Sequence, residues 1–268
     1  MNALRQILKV RPTAALLPGT GGASMQPPTG FCPKSYVLVH GAWHGGWCWG
    51  RVADHLRAAG HRVFTPTQTG VGERSHLLSK DIDLDVFVQD IQSVIEWEEL
   101  SEVILVGHSF GGNSITGVAD RISHRLRHLV YLDALVAVSG KAVMDWLAPA
   151  TAAARMKAAQ DFDNGLSFPP PGAEVFGVTD PGDVAWLNRR LTPHPVRTYT
   201  SSLRLEHSPG NDVPRTYIRC TDPFYTPIQP FEDWIKSQSG WSYLQISTGH
   251  DAMVTAPREL AEMLLGIE

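Results

Sequence analysis

Short apolar runs alternate with longer segments of mixed polarity along most of this chain. The runs are rich in β-branched residues, as in "YVLVH", "EVILVG" and "RTYIRCT". Between them, apolar positions recur every three or four residues. In "DLDVFVQDIQSVIEWEEL" these positions are Leu84, Val88, Ile91 and Ile95. The alternation predicts an α/β fold in which helices flank a mostly parallel central sheet.

The same two patterns, short apolar runs and apolar positions every three or four residues, predict the other strands and helices. Strands are predicted in "YVLVHGAW", "HRVFTP", "EVILVG", "LRHLVYLDAL" (126–135), "RTYIRCT" (215–221) and "WSYLQIST" (241–248). Helices are predicted in "VADHLRAAG", which Gly60 closes, in 83–100, in "GGNSITGVADRI" and in "PRELAEMLLGI". Predicted strands and helices therefore alternate in the part of the chain before residue 136 and again after residue 214.

The alternation of predicted strands and helices is interrupted between about residues 136 and 212. This stretch contains "FPPPG", "TDPGD" and "LTPHP" between short helical pieces, which is typical of a small helical cap inserted between late sheet strands. We therefore expect one domain over 35–268, with its cap at about 136–212. Residues 1–34 hold four basic residues, no acidic residue and a Gly- and Pro-rich run. They predict a disordered extension, with a start codon placed upstream of Met25 or a targeting segment as alternatives.

Charge and cysteine content narrow the function classes. The net charge is −4, from 23 basic and 27 acidic residues without long runs, so the chain lacks the basic patch of a nucleic-acid-binding protein. No apolar stretch reaches the roughly 18 residues of a membrane span. Three cysteines without C-x-x-C spacing favour neither a disulfide framework nor a metal site. We expect a cytoplasmic protein without metal or cofactor, and predict nothing about its oligomeric state.

Candidate chemistry begins at Ser109. Gly107, Ser109 and Gly111 form G-x-S-x-G between a predicted strand and a predicted helix. In this context small flanking residues allow a sharp turn that exposes the serine hydroxyl, a nucleophile elbow. The alternative is a serine that only caps the helix.

A serine nucleophile needs a base and an oxyanion hole. His250 in "STGHDAM" follows the last strand, where ligand sites of α/β sheets collect, and is the predicted base. The loop "HGAWHGGW" after the first strand predicts the second oxyanion donor. We assign the two donors to the N–H groups of Ala42 and Phe110.

The motifs "YVLVHGAWHGGWCW", "GHSFGG" and "TGHDAM" together resemble the α/β-hydrolase superfamily over about residues 35–268. The similarity is to its small esterases, the branch of plant methyl esterases, hydroxynitrile lyases and bacterial pyrethroid-type carboxylesterases. The resemblance implies a Ser/His/acid triad without metal or organic cofactor.

Two aspartates qualify as the triad acid. Asp222 in "CTDPF" ends the strand that most often carries the acid in this superfamily, but the methyl esterase pattern places it one residue later, at Pro223. Asp133 interrupts the apolar run "HLVYLDALV", where a carboxylate needs a partner. Its position resembles that of the acid in haloalkane dehalogenases. We favour Asp133 and keep Asp222 as the alternative.

The predicted activity is hydrolysis of carboxylic esters of small, apolar or aromatic molecules through an acyl-enzyme. Hydroxynitrile lyase chemistry is disfavoured, because Gly41 and Asp251 replace the hydroxyl residue and the lysine of the related lyases. A hydrolase-like receptor for a small ligand, a lactonase and a carbon–carbon bond hydrolase remain alternatives.

Overall fold

Six strands form the central sheet of the computed structural model, which describes residues 32–268. They are β1 (Ser35–Val39), β2 (Arg62–Phe64), β3 (Val103–His108), β4 (Leu126–Leu132), β7 (Arg215–Cys220) and β8 (Ser242–Ile246), and a separate pair consists of β5 (Ser167–Phe168) and β6 (His194–Pro195). The helices are α1 (Gly50–Ala58), α2 (Leu84–Trp97), α3 (Gly111–Ile122), α4 (Pro149–Asp163), α5 (Pro181–Asn188), α6 (Val196–Thr200), α7 (Gln229–Lys236), α8 (Ala252–Thr255) and α9 (Pro257–Leu265). All but the last three residues of the predicted extension, 1–34, lie outside the described residues.

The sheet has the strand order β2-β1-β3-β4-β7-β8, and every neighbouring pair is parallel. Val39 at the end of β1 lies beside Gly107 in β3, and His108 lies beside Leu132 at the end of β4. The carboxyl ends of these strands therefore meet at one edge of the sheet. The loops that leave this edge contain the predicted site residues, in agreement with the general location of ligand sites in open α/β sheets.

The predicted periodicity of α2 corresponds to its buried face. Leu84, Val88, Ile91 and Ile95 are all buried, and α2 packs against α3. The helix begins where the carboxylate of Asp83 accepts a hydrogen bond from the N–H of Val86, which satisfies one of the free donors of the first turn. The apolar face thus fixes how α2 lies on the core.

The segment between β4 and β7 contains α4, α5, α6 and the antiparallel pair of β5 and β6. It follows directly from the loop after β4, and its side chains line cavities next to the candidate site. This segment coincides with the predicted cap, whose role as a cap remains a prediction.

Two further features bear on the predictions. The strand predicted over 126–135 ends at Leu132, because Asp133 has a φ of +43° and leaves the extended conformation. Within residues 32–268, no helix combines the length and the apolar character needed to cross a membrane.

Candidate active site

Ser109 occupies a sharp turn between β3 and α3. Its φ is +51°, the left-handed region that non-glycine residues rarely adopt. The backbone is so tightly folded here that a Cβ on Gly107 would lie 2.8 Å from the carbonyl oxygen of Gly111, and one on Gly111 would lie 2.6 Å from that of His40. Glycine at both positions therefore permits the turn, and Ser109 remains partly accessible.

His250 lies beside Ser109 and links it to Asp133. Its Nε2 is 2.9 Å from the Oγ of Ser109, and its Nδ1 is 2.6 Å from Oδ2 of Asp133. A carboxylate can only accept, so Nδ1 carries the proton and Nε2 presents its lone pair to the serine hydroxyl. This is the tautomer that a general base requires.

Buried hydrogen-bond donors surround the Asp133 carboxylate, which is 0% exposed. Oδ1 accepts from the guanidinium of Arg219 and from the N–H of Cys220, 3.2 Å away. Arg219 is itself buried and also donates to Glu232 at 3.0 Å. Asp133 is therefore held between a cation and an imidazole, the kind of partner that its burial in an apolar strand demanded.

Asp222 lies apart from this arrangement. Its side chain is exposed, and no described residue forms a hydrogen bond or ion pair with its carboxylate, whereas its backbone N–H donates to Thr248. Of the two acid candidates, the structure brings only Asp133 to His250.

The first loop passes directly beside the nucleophile turn. A Cβ on Gly41 would lie 2.8 Å from the Cβ of Ser109, so only glycine allows this approach. Within the part of the chain that the structure describes, the N–H groups of Ala42 and Phe110 have no hydrogen-bond acceptor. Both residues are buried, which leaves two unused donors next to Ser109.

A second histidine–aspartate pair connects the first loop with the His250 loop. Nδ1 of His44 is 2.7 Å from the carbonyl oxygen of Ala42, and Nε2 is 3.0 Å from Oδ2 of Asp251. Since both partners accept, His44 is an imidazolium whenever Asp251 is ionised. Burial by itself lowers the pKa of His44, but the Asp251 carboxylate raises it above its ordinary value. The pair thus fixes Ala42 relative to the loop that carries His250.

His108 supports the catalytic loop from below. It is fully buried, and its Nε2 donates to the carbonyl oxygen of His250 at 3.0 Å. Burial and the neighbouring His250 lower its pKa well below the ordinary value. His108 therefore packs beneath the nucleophile turn and anchors the backbone of His250.

Two adjoining cavities lie in front of Ser109. The smaller, of about 30 Å³, reaches Ser109 itself; the larger, of about 260 Å³, extends under α4. Both are lined by Trp43, Arg155, Tyr225 and Pro227. Trp43 therefore forms part of the wall of both cavities. The larger cavity exceeds the roughly 150 Å³ that accommodates benzene in a protein interior.

The sequence analysis did not identify three side chains at this site. Arg219 partners Asp133, the ring of Tyr225 stacks on His250 with centroids 4.0 Å apart, and Arg155 lines both cavities. For Arg219 a signal existed, because a guanidinium inside the apolar strand "TYIRCT" needs a buried carboxylate. The other two depend on how the cap folds back and left no local pattern.

Known proteins resemble this chain over nearly its whole described length. A family model described as the alpha/beta hydrolase family matches residues 36–263. A carbendazim hydrolyzing esterase from Nocardioides sp. (strain SG-4G) is 44% identical over 242 residues, which are 87% of this chain and 99% of that protein. Pheophorbidase from Raphanus sativus is 27% identical over 245 residues, 86% and 92% of the two chains.

Among solved structures, an extracellular alpha/beta-hydrolase from a Paenibacillus species superposes with a TM-score of 0.75 at 22% identity. The match covers 87% of this chain and 98% of that one. At this identity the likeness concerns the fold. Together the comparisons confirm the predicted fold class and the predicted resemblance to esterases.

Proposed function

This chain belongs to the α/β-hydrolase family and is a carboxylic ester hydrolase, and on that premise we propose that it works as a serine esterase through Ser109, His250 and Asp133. The observation that carries the proposal is the continuous hydrogen-bonded chain from serine through imidazole to carboxylate, 2.9 and 2.6 Å long at its two links. A serine that only capped a helix would not need a base aligned with its hydroxyl.

Acylation begins when Oγ of Ser109 attacks the ester carbonyl carbon and its proton passes to Nε2 of His250. The carbonyl electron pair moves to the oxygen, and this oxyanion accepts hydrogen bonds from the free N–H groups of Ala42 and Phe110. The C–O bond to the alcohol then breaks, and the leaving oxygen takes the proton from Nε2. The product is an acyl-enzyme at Ser109 and a free alcohol.

Deacylation repeats these steps with water as the nucleophile. His250 removes a proton from water while the hydroxyl oxygen attacks the acyl carbon, and the proton returns to Oγ of Ser109 as that bond breaks. Asp133 remains ionised throughout and stabilises the imidazolium that forms twice per turnover. Arg219 holds that carboxylate in place through its hydrogen bond to Oδ1.

Steady hydrolysis of p-nitrophenyl acetate is the expected result that tests this proposal. Product should form linearly over many enzyme equivalents, because the site holds a base for the deacylating water as well as for the serine. A receptor of this fold would give a stoichiometric burst of p-nitrophenol or none. Stopped-flow absorbance at known enzyme concentration separates these outcomes, and a burst without turnover would contradict an esterase.

The larger cavity favours an apolar or aromatic substrate. Its walls include Trp43, Phe168, Tyr225 and three prolines, and its volume of about 260 Å³ is large enough for an aromatic ring system. Carbendazim, which the name of the 44% identical relative gives as that enzyme's substrate, is therefore a reasonable first compound to assay beside p-nitrophenyl and aromatic methyl esters.

We expect no hydroxynitrile lyase activity. Asp251 lies where the related lyases have a lysine, and its carboxylate is buried against His44, so the loop of His250 does not supply the lysine that would stabilise a leaving cyanide. Incubation with mandelonitrile should release cyanide only at the uncatalysed rate. Cyanide release above that rate, lost in the Ser109→Ala variant, would show this prediction to be wrong.

We also propose a cytoplasmic location. It rests on the three cysteines, Cys32, Cys48 and Cys220, which are all free thiols. Fractionation of the native host with an antibody against the chain would test it.

A further inference from the structure

Arg155 is a cation in the wall of the substrate site that has no carboxylate partner among the described residues. Among the described residues that line the two cavities, it is the one charged side chain. Its guanidinium lies 5.9 Å from the centroid of the Tyr199 ring, and no carboxylate within residues 32–268 forms a salt bridge with it. The Tyr199 hydroxyl accepts a hydrogen bond from this guanidinium, but a neutral hydroxyl uses only part of the five-donor fork and does not balance the charge of a half-buried cation.

The surroundings of Arg155 on α4 exclude a local explanation. The positions three and four residues away are Thr151, Ala152, Ala158 and Ala159, none of which is acidic. Lys157, two residues along the same helix, does have such a partner: it pairs with Asp161 and is 74% exposed. One cation of this helix is thus paired at the surface, and the other is directed at the cavities.

We propose that Arg155 forms a carboxylate-binding subsite, and that the preferred substrates are esters that carry a free carboxylate at a distance from the scissile bond. This inference rests on the proposed function of Ser109. Guanidinium binds a carboxylate through two parallel hydrogen bonds, which gives orientation as well as affinity. A dianionic phosphate would require further cations, and the described lining residues include none.

The positions of Ser109 and Arg155 in the two cavities indicate which part of the ester carries the free carboxylate. The reacting carbonyl occupies the small cavity at Ser109, and Arg155 contributes to the walls of both cavities. The part of the substrate in the larger cavity therefore passes the guanidinium, with Trp43 and Tyr225 against its apolar portion. The carboxylate belongs on this larger part, whether that is the acyl or the alcohol part.

Matched substrate pairs test the proposal. Mono-4-nitrophenyl glutarate is compared with 4-nitrophenyl pentanoate, which varies the charge on the acyl part, and 4-acetoxybenzoate with 4-acetoxybenzamide, which varies it on the alcohol part. The measured quantity is the ratio of kcat/KM for the acid to kcat/KM for its neutral counterpart. Rates with Ser109→Ala are subtracted, because the glutarate ester also hydrolyses through its own carboxylate.

Arg155→Met should lower this ratio about 10- to 100-fold for at least one pair, because a charge-assisted bidentate contact with the acid is lost. Arg155→Lys should retain part of the preference, since it keeps the charge and loses the planar fork. Lys157→Met is the matched control, because it removes an equal charge from the exposed side of α4, and should leave both ratios unchanged.

The ratio of kcat/KM between acid and neutral ester distinguishes unfolding of a variant from failure of the subsite proposal and from failure of the proposed function. Partial unfolding of a variant lowers both members of a pair equally and leaves the ratio intact. If wild type hydrolyses the neutral esters and Arg155→Met leaves both ratios unchanged, the subsite does not exist although the esterase does. An equal decrease in Lys157→Met would also contradict the proposal, because it would show a general charge effect. If wild type hydrolyses no member of either pair, the proposed function itself fails.

Discussion

Ser109→Ala is expected to lower the kcat of ester hydrolysis by about 10⁴-fold or more, the loss typical of removing a triad nucleophile. No other hydroxyl takes its place, because the base is aligned with Oγ of Ser109 alone, at 2.9 Å. The fold should persist, since alanine fits the turn and the backbone hydrogen bonds of residue 109 to Leu132 and Leu135 do not involve the side chain. The assay is p-nitrophenyl acetate hydrolysis, with circular dichroism and the Tm as controls for folding.

A serine-directed phosphonate gives an independent measurement. It should label wild type at Ser109 and leave Ser109→Ala unlabelled by intact mass and peptide mapping. Ser101→Ala is a matched control, because this serine is exposed just before the opposite end of β3; the variant should keep full activity and labelling. Label on another serine, or more than about a tenth of the activity in Ser109→Ala, would show that the nucleophile is assigned wrongly.

Asp133→Asn is expected to lower kcat by roughly 10³- to 10⁴-fold. The amide preserves the shape of the side chain but removes the charge that stabilises the imidazolium, and it offers His250 a donor where a carboxylate had fixed the productive tautomer. Stability should fall as well, by about 3 kcal/mol, because the buried Arg219 loses one of its two carboxylate partners. Kinetics are therefore measured well below the variant's Tm and corrected for the folded fraction.

Asp222→Asn is the comparison that decides between the two acids. Its side chain is exposed and unpaired among the described residues, so kcat should fall less than about tenfold and the Tm should barely change. Should Asp222→Asn prove inactive with an unchanged Tm, the acid would belong to the loop after β7. Asp133 would then be a structural carboxylate that neutralises Arg219.

The sequence favoured Asp133 over Asp222 because a carboxylate inside an apolar run is energetically costly to bury without a partner. An apolar run that contains one aspartate implies a partner for the buried carboxylate. Arg219 inside an apolar strand signalled the need for a buried carboxylate, but the sequence could not pair it with Asp133, because the contact joins β7 to the residue after β4, 86 residues apart, and no local pattern relates the two. Nor could it place Arg155 or Tyr225, which reach the cavities from segments whose paths depend on the packing of the whole cap.

The sequence by itself determined the elements and the chemical identity of the site. Periods of two and of 3.6 residues reveal which side chains are buried, and the nucleophile turn is a local structure whose glycines are needed within a few residues of Ser109. Only the tertiary structure decided which aspartate meets His250, which donors stay unpaired, and which cation enters the substrate cavities. These outcomes depend on strand order and on the course of the segment between β4 and β7, because charges that are far apart in the chain become partners only when the sheet brings their strands together.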